Sequence, residues 1–525
     1  MKKLFKYTLA SIFALSLVQC TSDFETINSN PHELTDEQLE QQNYHIGGNF
    51  APMFLNVFNV TPAWNYQLQQ GLMGDVFSGY MTAPTPFAGN VNNQTYALVD
   101  GWNGFPWSDA YTSVMPFALE IKKVLDAEQN PVSEKYRFLA DIIKVAAMHR
   151  VADIYGPIRY TQYDDLETTG IYDSQEVAYT AFFNDLTAAI DGLAPFVADN
   201  GFQLFDMSTF GGDIGKWRTF ANSLRLRLAL RIVNVNPTLA QTQGELALAS
   251  DAGFLEVQSM VINTGFAHPI TVISGSWGDV RMGAEMESIL TGFNDNRIEK
   301  YFNAAEDETL NGAYKGIRMG IEIEAKSTYG AHSSIGSVID GEKIQWMSAS
   351  EVYFLRAEAA LRGWMNAGDA GTHYNNGVTV SFAQNQVGGA AAYLADNTST
   401  PADFVDAYDN ANDIAYASEV KIAYNAGGTN EEQLEQIITQ KWIAMFPDGQ
   451  EAWSEFRRTG YPKIFPVAVN NSGGDIDTAV QVRRINFVES ERNTNGDNVD
   501  TAIGYLKGPD NGGTRLWWDI DGSNF

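Results

Sequence analysis

Cysteine is almost missing: the chain of 525 residues has one, Cys20. A cysteine-based metal site and a redox pair in the mature protein are thereby excluded. Histidine is scarce as well. His32, His45, His149, His268, His332 and His373 are scattered along the sequence. His149 lies within a helical stretch, where a packed or capping role fits better than metal ligation. The chain lacks H-E-x-x-H, G-x-S-x-G and a phosphate-binding loop, so the enzyme classes those motifs mark have no foothold. Basic charge is short too, with 34 Lys and Arg against 64 Asp and Glu and a formal net charge of -30. Such a surface repels nucleic acid, whose binding needs basic patches. It also disfavours polyanionic glycans and favours solubility. No linker rich in Pro, Ser or charge divides the chain. Its 44% hydrophobic content supplies a large core, so one large unit with decorated loops is expected.

The amino terminus reads differently from the rest. Lys2, Lys3 and Lys6 precede an apolar, uncharged run from Tyr7 to Val18, then Gln19 and Cys20. The run is shorter than the ~20 residues that span a bilayer. No later stretch approaches that length. A signal peptide over 1–19 is the better reading. Cys20 stands where a bacterial lipoprotein signal keeps the residue to be lipidated, although Gln19 occupies a position where a small residue is usual. Each buried CH₂ adds ~0.8 kcal/mol of membrane affinity, so two or more acyl chains would hold the protein firmly. Residues 20–45 read as a lipidated tether, and 46–525 as the folded domain. Asp23 and Glu25 follow the cysteine closely, which resembles the surface-export signal of Bacteroidetes lipoproteins and implies an outward-facing protein at the cell outer membrane.

Helical periodicity predicts helices over Val132–Tyr155, Gln175–Phe196, Trp217–Val233, Ser348–Ala367, Glu431–Met445 and Gln450–Thr459. Ser133 is placed to cap the first, and Gly156-Pro157 to end it. Two adjacent apolar stripes on the fourth, Val352/Leu355/Ala359 and Phe354/Leu361/Met365, imply burial over more than half its surface. Residues 51–108, 251–346 and 460–525 lack helical period and read as loops, with short β-like runs in the second. Loops of that length in a folded protein are usually functional. The expected architecture is mostly α: one large domain of tetratricopeptide-like helix pairs, long ligand-binding loops and minor β-hairpins. A clean 34-residue repeat is absent.

Carboxylates are plentiful enough to make chance pairs easy. Asp279, Glu285 and Glu287 could be posed as a glycosidase set, but a solvated face is the plainer reading. Asp519 and Asp521, or Asn493, Asn495, Asp497 and Asp500, do not fit a twelve-residue calcium loop, and ordinary turn chemistry explains them. The positive signal is aromatic. Aromatics form 12% of the chain, and many stand in loops beside Asn, Gln, Asp and Arg. A pyranose offers an apolar C–H face and a hydroxyl rim, so its site needs an exposed ring and a few orienting polar groups. The segments Tyr80 to Asn90 and Ser276 to Arg281 have that character. Trp277, Phe87, Tyr80, Trp64 and Tyr329 are the candidate stacking residues, with Asn90, Asp279 and Arg281 as polar contacts. Trp102, Trp107 and Tyr111 lie where the chain turns helical and read as core.

Three further segments carry a resemblance. They are Glu351-Val352-Tyr353-Phe354-Leu355-Arg356-Ala357-Glu358-Ala359-Ala360-Leu361-Arg362-Gly363-Trp364; then Gln440-Lys441-Trp442-Ile443-Ala444-Met445-Phe446 with Glu451-Ala452-Trp453 and Arg457-Arg458-Thr459-Gly460-Tyr461-Pro462; and Arg484-Ile485-Asn486-Phe487 with the closing Trp517-Trp518-Asp519. Together with the lipoprotein start they resemble the SusD/RagB family of outer-membrane nutrient-binding lipoproteins. The resemblance implies an α-rich body whose loops hold the ligand, and a SusC-like TonB-dependent transporter as partner. It implies oligosaccharide or polysaccharide as the ligand, sometimes peptide, and neither cofactor nor catalysis. It assigns Arg356, Glu358, Arg457 and Tyr461 to helix-holding buried pairs, not to ligand contact. Acidity leans toward a neutral glucan, β-linked before α-linked. A peptide binder of the same architecture, a pure interaction scaffold and a glycoside hydrolase are the alternatives.

Overall fold

The structure, a computed structural model, describes residues 43–163, 170–339 and 341–525. The signal segment, Cys20 and the tether up to residue 42 lie outside the described residues. The chain divides at Gly48 into two units. Of the first, the described part carries one short helix, Tyr44–Gly47. The second unit, Asn49–Phe525, holds everything that follows.

Its principal helices are α1 (Met115–Glu128), α2 (Glu134–Tyr155), α3 (Gln175–Leu193), α4 (Ile214–Arg231) and α5 (Pro237–Leu248). Then come α6 (Ala349–Leu361), α7 (Ala370–Gln384), α8 (Asn430–Met445) and α9 (Gly449–Thr459). Consecutive helices from α1 to α5 pack neighbour on neighbour, and α6 packs on α7 and α8. Short connections make α1–α2, α4–α5 and α6–α7 helical hairpins, whereas longer segments join α2 to α3 and α3 to α4. Local chemistry explains the starts. Thr429 and Glu432 form a reciprocal capping box on α8, satisfying two otherwise orphaned N–H groups. Ser348 and Asp448 cap α6 and α9 through the amides of Glu351 and Glu451. Ser133 differs from expectation. Its backbone is already helical, its side chain makes no capping bond, and the regular helix starts at Glu134.

A buried ionic network ties the helices together. Arg231 on α4 meets Glu451 and Glu455 of α9 and lies 3.3 Å from Asp153 of α2. Arg227 holds Glu351 of α6 at 2.6 Å, and Arg458 bridges Glu358 and Glu455 at 2.7 and 2.6 Å. Lys441 of α8 completes the set at 3.2 Å from Glu455. Burial alone would raise the Glu455 carboxyl, but Arg458, Lys441 and Arg231 outweigh it and hold it well below the ordinary range. Removing one partner from such a set leaves an uncompensated charge, at ~3–5 kcal/mol. Glu358 thus has the buried pairing the family resemblance implies. Tyr461 donates to Glu431 at 2.9 Å, and Arg457 lies flat on Trp453 at 3.6 Å. Arg356 does not: it reaches a half-exposed Glu256 at the surface. His149 is buried with Nδ1 2.8 Å from the Val145 carbonyl, a packed residue.

Among the described residues the strands form two short antiparallel ladders between distant segments, beside a few isolated bridges. Strand β1 (Met81–Thr82) pairs with β3 (Arg281–Met282), Met81 opposite Met282 and Thr82 opposite Arg281. Strand β2 (Met260–Asn263) pairs with β4 (Lys343–Met347). Residues 51–108 are less loop-like than their pattern suggests. They contain short helices and a π-helix, Gln67–Gly74, whose wider turn does not produce the 3.6-residue period. The ladder β1–β3 matters most, because it sets the loop after Thr82 beside the loop before Arg281.

Candidate functional site

Among the candidate rings, Trp64 is 44% exposed and Trp277 38% exposed. Phe87 is half-buried. Trp64 is braced edge-on by Phe105 at 5.0 Å, and Phe87 by Trp102 at 5.8 Å. Trp102 and Phe105 flank Gly104 at the junction of the short helices Asp100–Asn103 and Phe105–Ser113. Two T-shaped pairs therefore spring from one corner of the chain. Edge contact of this kind fixes a ring, at ~0.5–1.5 kcal/mol per pair, without covering both its faces. Trp102, expected in the core, is half-exposed and belongs to this cluster. Trp107 and Tyr111 are buried as expected.

The Trp277 turn joins the same region. The helix Ala63–Tyr66, which carries Trp64, packs against the segment Thr271–Ser276 just ahead of Trp277. Asp279 is the common anchor. Its carboxylate accepts from Gln67 Nε2 at 3.1 Å, Thr85 Oγ1 at 3.0 Å and Lys326 Nζ at 2.8 Å. Those donors belong to the chain after Trp64, the chain before Phe87 and the helix Lys326–Tyr329. Lys326 also holds the Trp277 carbonyl at 2.5 Å. One carboxylate thus fixes the segments that carry all three accessible rings. Gly278 sits at φ 62° in this turn, and a Cβ there would lie 3.1 Å from the Arg281 guanidinium.

Other candidates prove to be supports. Arg281 donates to the carbonyls of Gly330, Ser274 and Val280 at 2.7, 2.7 and 2.9 Å, so its guanidinium holds the turn closed. Asn90 adopts φ 65°, and its Nδ2 donates to the Ile323 carbonyl at 3.0 Å. With Ala88 and Gly89 it makes three successive left-handed residues, which fold the chain back after Phe87. It lines a crevice of about 10 Å³, room for about one water. Tyr80 has no exposed surface. It donates to the Trp442 carbonyl and packs on Trp442 and Phe446 at 4.8 and 5.2 Å, so it presents no face to a ligand. Tyr329 is 4% exposed, with its hydroxyl on Asp406 at 3.0 Å.

Of the carboxylates expected on a solvated face, Glu285 and Glu287 are buried, and Asp279 is partly buried. Glu287 is engaged by Lys315 and by the Gly316 amide at 2.6 Å. Glu285 accepts from the Phe465 amide at 3.0 Å, and burial pushes its carboxyl up to about 7. Both lie on the helix Ala284–Gly292 beneath the β1–β3 ladder, away from open solvent. Asp519 is buried in an ion pair with Arg483 at 2.5 Å. Among the described residues no group of three or more His, Cys, Asp or Glu could hold a metal ion. A recess of about 340 Å³ lies elsewhere, beside α1, α2 and α3. Several of its polar groups are spent on one another: Lys144 lies between Asp141 at 2.6 Å and Asp185 at 3.0 Å, and the Tyr160 hydroxyl donates to Asp185.

Comparison with known proteins gives a consistent result. The family pattern described as SusD-like, SusD and RagB outer membrane lipoprotein, matches residues 26–519. A chitin-binding SusD homolog from Flavobacterium johnsoniae is 47% identical, with TM-score 0.88 over 92% of this chain and 100% of that one. A SusD homolog from Bacteroides vulgatus is 35% identical, with TM-score 0.87 over 93% and 100%. A SusD-like protein from Bacteroides thetaiotaomicron is 33% identical, with TM-score 0.84 over 91% and 99%. Curated proteins provide no match. With its helix pairs, its loop-borne aromatic surface and a match along nearly the whole sequence, this chain belongs to the SusD/RagB family of outer-membrane lipoproteins.

Proposed function

We propose that this protein captures neutral β-linked oligosaccharides of the chitin type at the outer cell surface, without catalysis, and hands them to a SusC-like TonB-dependent transporter. The observation that carries the reading is the accessible aromatic set Trp64, Phe87 and Trp277, the first two braced edge-on by Phe105 and Trp102 and the segments of all three tied together through Asp279. Sugar rings stack on such faces, and the acidic surface disfavours anionic chains. The chitin-binding relative at 47% identity favours N-acetylglucosamine units over the plain β-glucan that acidity alone suggests. The two polymers differ at C2, by an acetamido group in place of a hydroxyl. Stacking at ~0.5–1.5 kcal/mol per ring plus a few hydrogen bonds corresponds to micromolar to millimolar affinity, about -8 to -4 kcal/mol. Weak capture suits a protein that must release its cargo.

Calorimetric titration with oligomers of N-acetylglucosamine, cellulose-type glucan and xylan tests the reading. The expected result is strongest binding to the first, and a loss of tenfold or more in Trp277→Ala with folding intact. If none of the neutral glycans binds and proteolytic peptides do, the peptide reading replaces this one.

A further inference from the structure

A further accessible ring lies beyond the cluster described above. Tyr408 is 41% exposed, in a loop closed by the bridge between Phe404 and Ile414. An ordinary surface tyrosine is held by little and moves freely. Tyr408 is fixed on three sides. Its ring lies 5.5 Å from Tyr329 and 5.4 Å from His332, which are themselves 5.1 Å apart, so three rings brace one another. Its hydroxyl donates to Asp307. That carboxylate also accepts from the Thr309 amide and hydroxyl at 2.8 and 2.6 Å. Its own backbone is pinned as well, because the buried Asp406 carboxylate accepts from the Tyr408 and Asp409 amides at 2.9 and 3.2 Å. The same carboxylate takes the Tyr329 hydroxyl at 3.0 Å and Asn412 Nδ2 at 3.1 Å. The ordering cost of this ring is thus met within the fold, and binding to it does not incur the ~0.5–1.5 kcal/mol of immobilising a mobile side chain.

Tyr408 is also continuous with the Trp277 region. Lys326, which holds the Trp277 carbonyl and Asp279, opens the one-turn helix that Tyr329 closes. That helix advances ~1.5 Å per residue, and the Tyr329 ring at its end lies 5.5 Å from the Tyr408 ring. The rim carries exposed Asp409 and Asn410 and half-exposed Asn412, which suit the hydroxyls of an uncharged sugar and repel anions.

We propose that Tyr408, braced by Tyr329 and His332, is an additional stacking platform that takes a further pyranose ring of the glycan chain held at Trp277. The inference rests on the glycan-capture reading above and adds a consequence of its own: affinity depends on chain length. The tyrosine is a binding residue and performs no chemistry.

The test titrates the folded protein with N-acetylglucosamine oligomers from trisaccharide to octasaccharide. The wild type, Tyr408→Ala and Tyr408→Leu are compared, the last keeping bulk against Tyr329 but offering no planar face. In the wild type affinity should rise with length. In both variants the trisaccharide should bind as in the wild type, and the octasaccharide about fivefold to tenfold more weakly. Tyr408→Phe, which retains the ring and loses only the Asp307 bond, should restore the octasaccharide affinity to within about twofold. Equal affinities of wild type and Tyr408→Leu at every length overturn the inference, as does an equal loss for short and long oligomers. Absence of binding by the wild type at every length sinks instead the glycan reading beneath it.

Discussion

Asp279→Ala separates the role of the rings from the role of the scaffold that aims them. The aspartate is a node rather than a contact. Deleting its carboxylate leaves Gln67 Nε2, on a side chain only 7% exposed, without a partner. A buried donor so stranded costs ~1–3 kcal/mol. The Thr85 bond is half-buried and contributes ~0.5–1.5 kcal/mol. The Lys326 pair is weaker than its 2.8 Å suggests, because that lysine side chain is 39% exposed and solvent screens it to ~1 kcal/mol or less. The expected destabilisation is about 1.5–5 kcal/mol, read as a lower urea midpoint with an unchanged slope. The effect on glycan binding follows from a different quantity. With the node gone, the ligand must order the Trp277 turn and the Phe87 loop itself, at ~0.5–1.5 kcal/mol per immobilised side chain. That is about a tenfold loss in affinity, appearing in calorimetry as a less favourable entropy. Asp279→Asn keeps one acceptor oxygen and should fall between. A variant that loses stability yet binds N-acetylglucosamine oligomers as the wild type does would refute the claim that Asp279 positions the rings.

Three further outcomes are expected. Ala88, at φ 48° and ψ 33° in the exposed turn after Phe87, carries a left-handed penalty of ~1–2 kcal/mol, while glycine loses ~0.5–1 kcal/mol more on folding. Ala88→Gly should therefore stabilise by about 0.5–1 kcal/mol in urea unfolding, and a lower midpoint would contradict the strain. Glu285 has its carboxyl raised by burial to about 7, above its unfolded value near 4.5. Its stabilising contribution is full below pH ~4.5 and is lost as pH rises through ~7. Glu285→Gln should thus gain on the wild type between pH 5 and pH 8, and a stability difference independent of pH would count against a protonated Glu285. Cys20→Ala should move the protein from the membrane fraction to the soluble fraction of fractionated cells, and continued attachment would exclude acylation there as the anchor.

Helices were legible because their period is local. The stripe at Val352/Leu355/Ala359 depends on residues within one or two turns, and α6 starts where it was expected but ends at Leu361, short of Ala367, while α8 closely matches the expected Glu431–Met445. The π-helix Gln67–Gly74 escaped because its turn does not repeat at 3.6 residues. Of the candidate site, Trp64, Phe87 and Trp277 were visible as aromatics set among polar and small residues. Phe105 and Trp102, which brace two of them, stand beside Asn103 and Gly104 in the same kind of composition, and that was the available signal. Tyr408, in an Asp- and Asn-rich stretch, carried it too.

The sequence alone determined family membership, the helix pairs and the choice of aromatic loops as the place to look. Only tertiary structure decided which rings are open. Tyr80 and Trp64 have similar neighbours in sequence, yet Tyr80 is covered by Trp442 and Phe446, while Trp64 is met only edge-on by Phe105 in this ring cluster. The bond that seals Tyr80 spans 362 positions of the chain. Exposure is a property of what distant segments cover, and no local pattern encodes it. The same holds for Asp279, whose three partners come from separate segments: the β1–β3 ladder brings the Thr85 loop to it, while Gln67 and Lys326 arrive on two other elements.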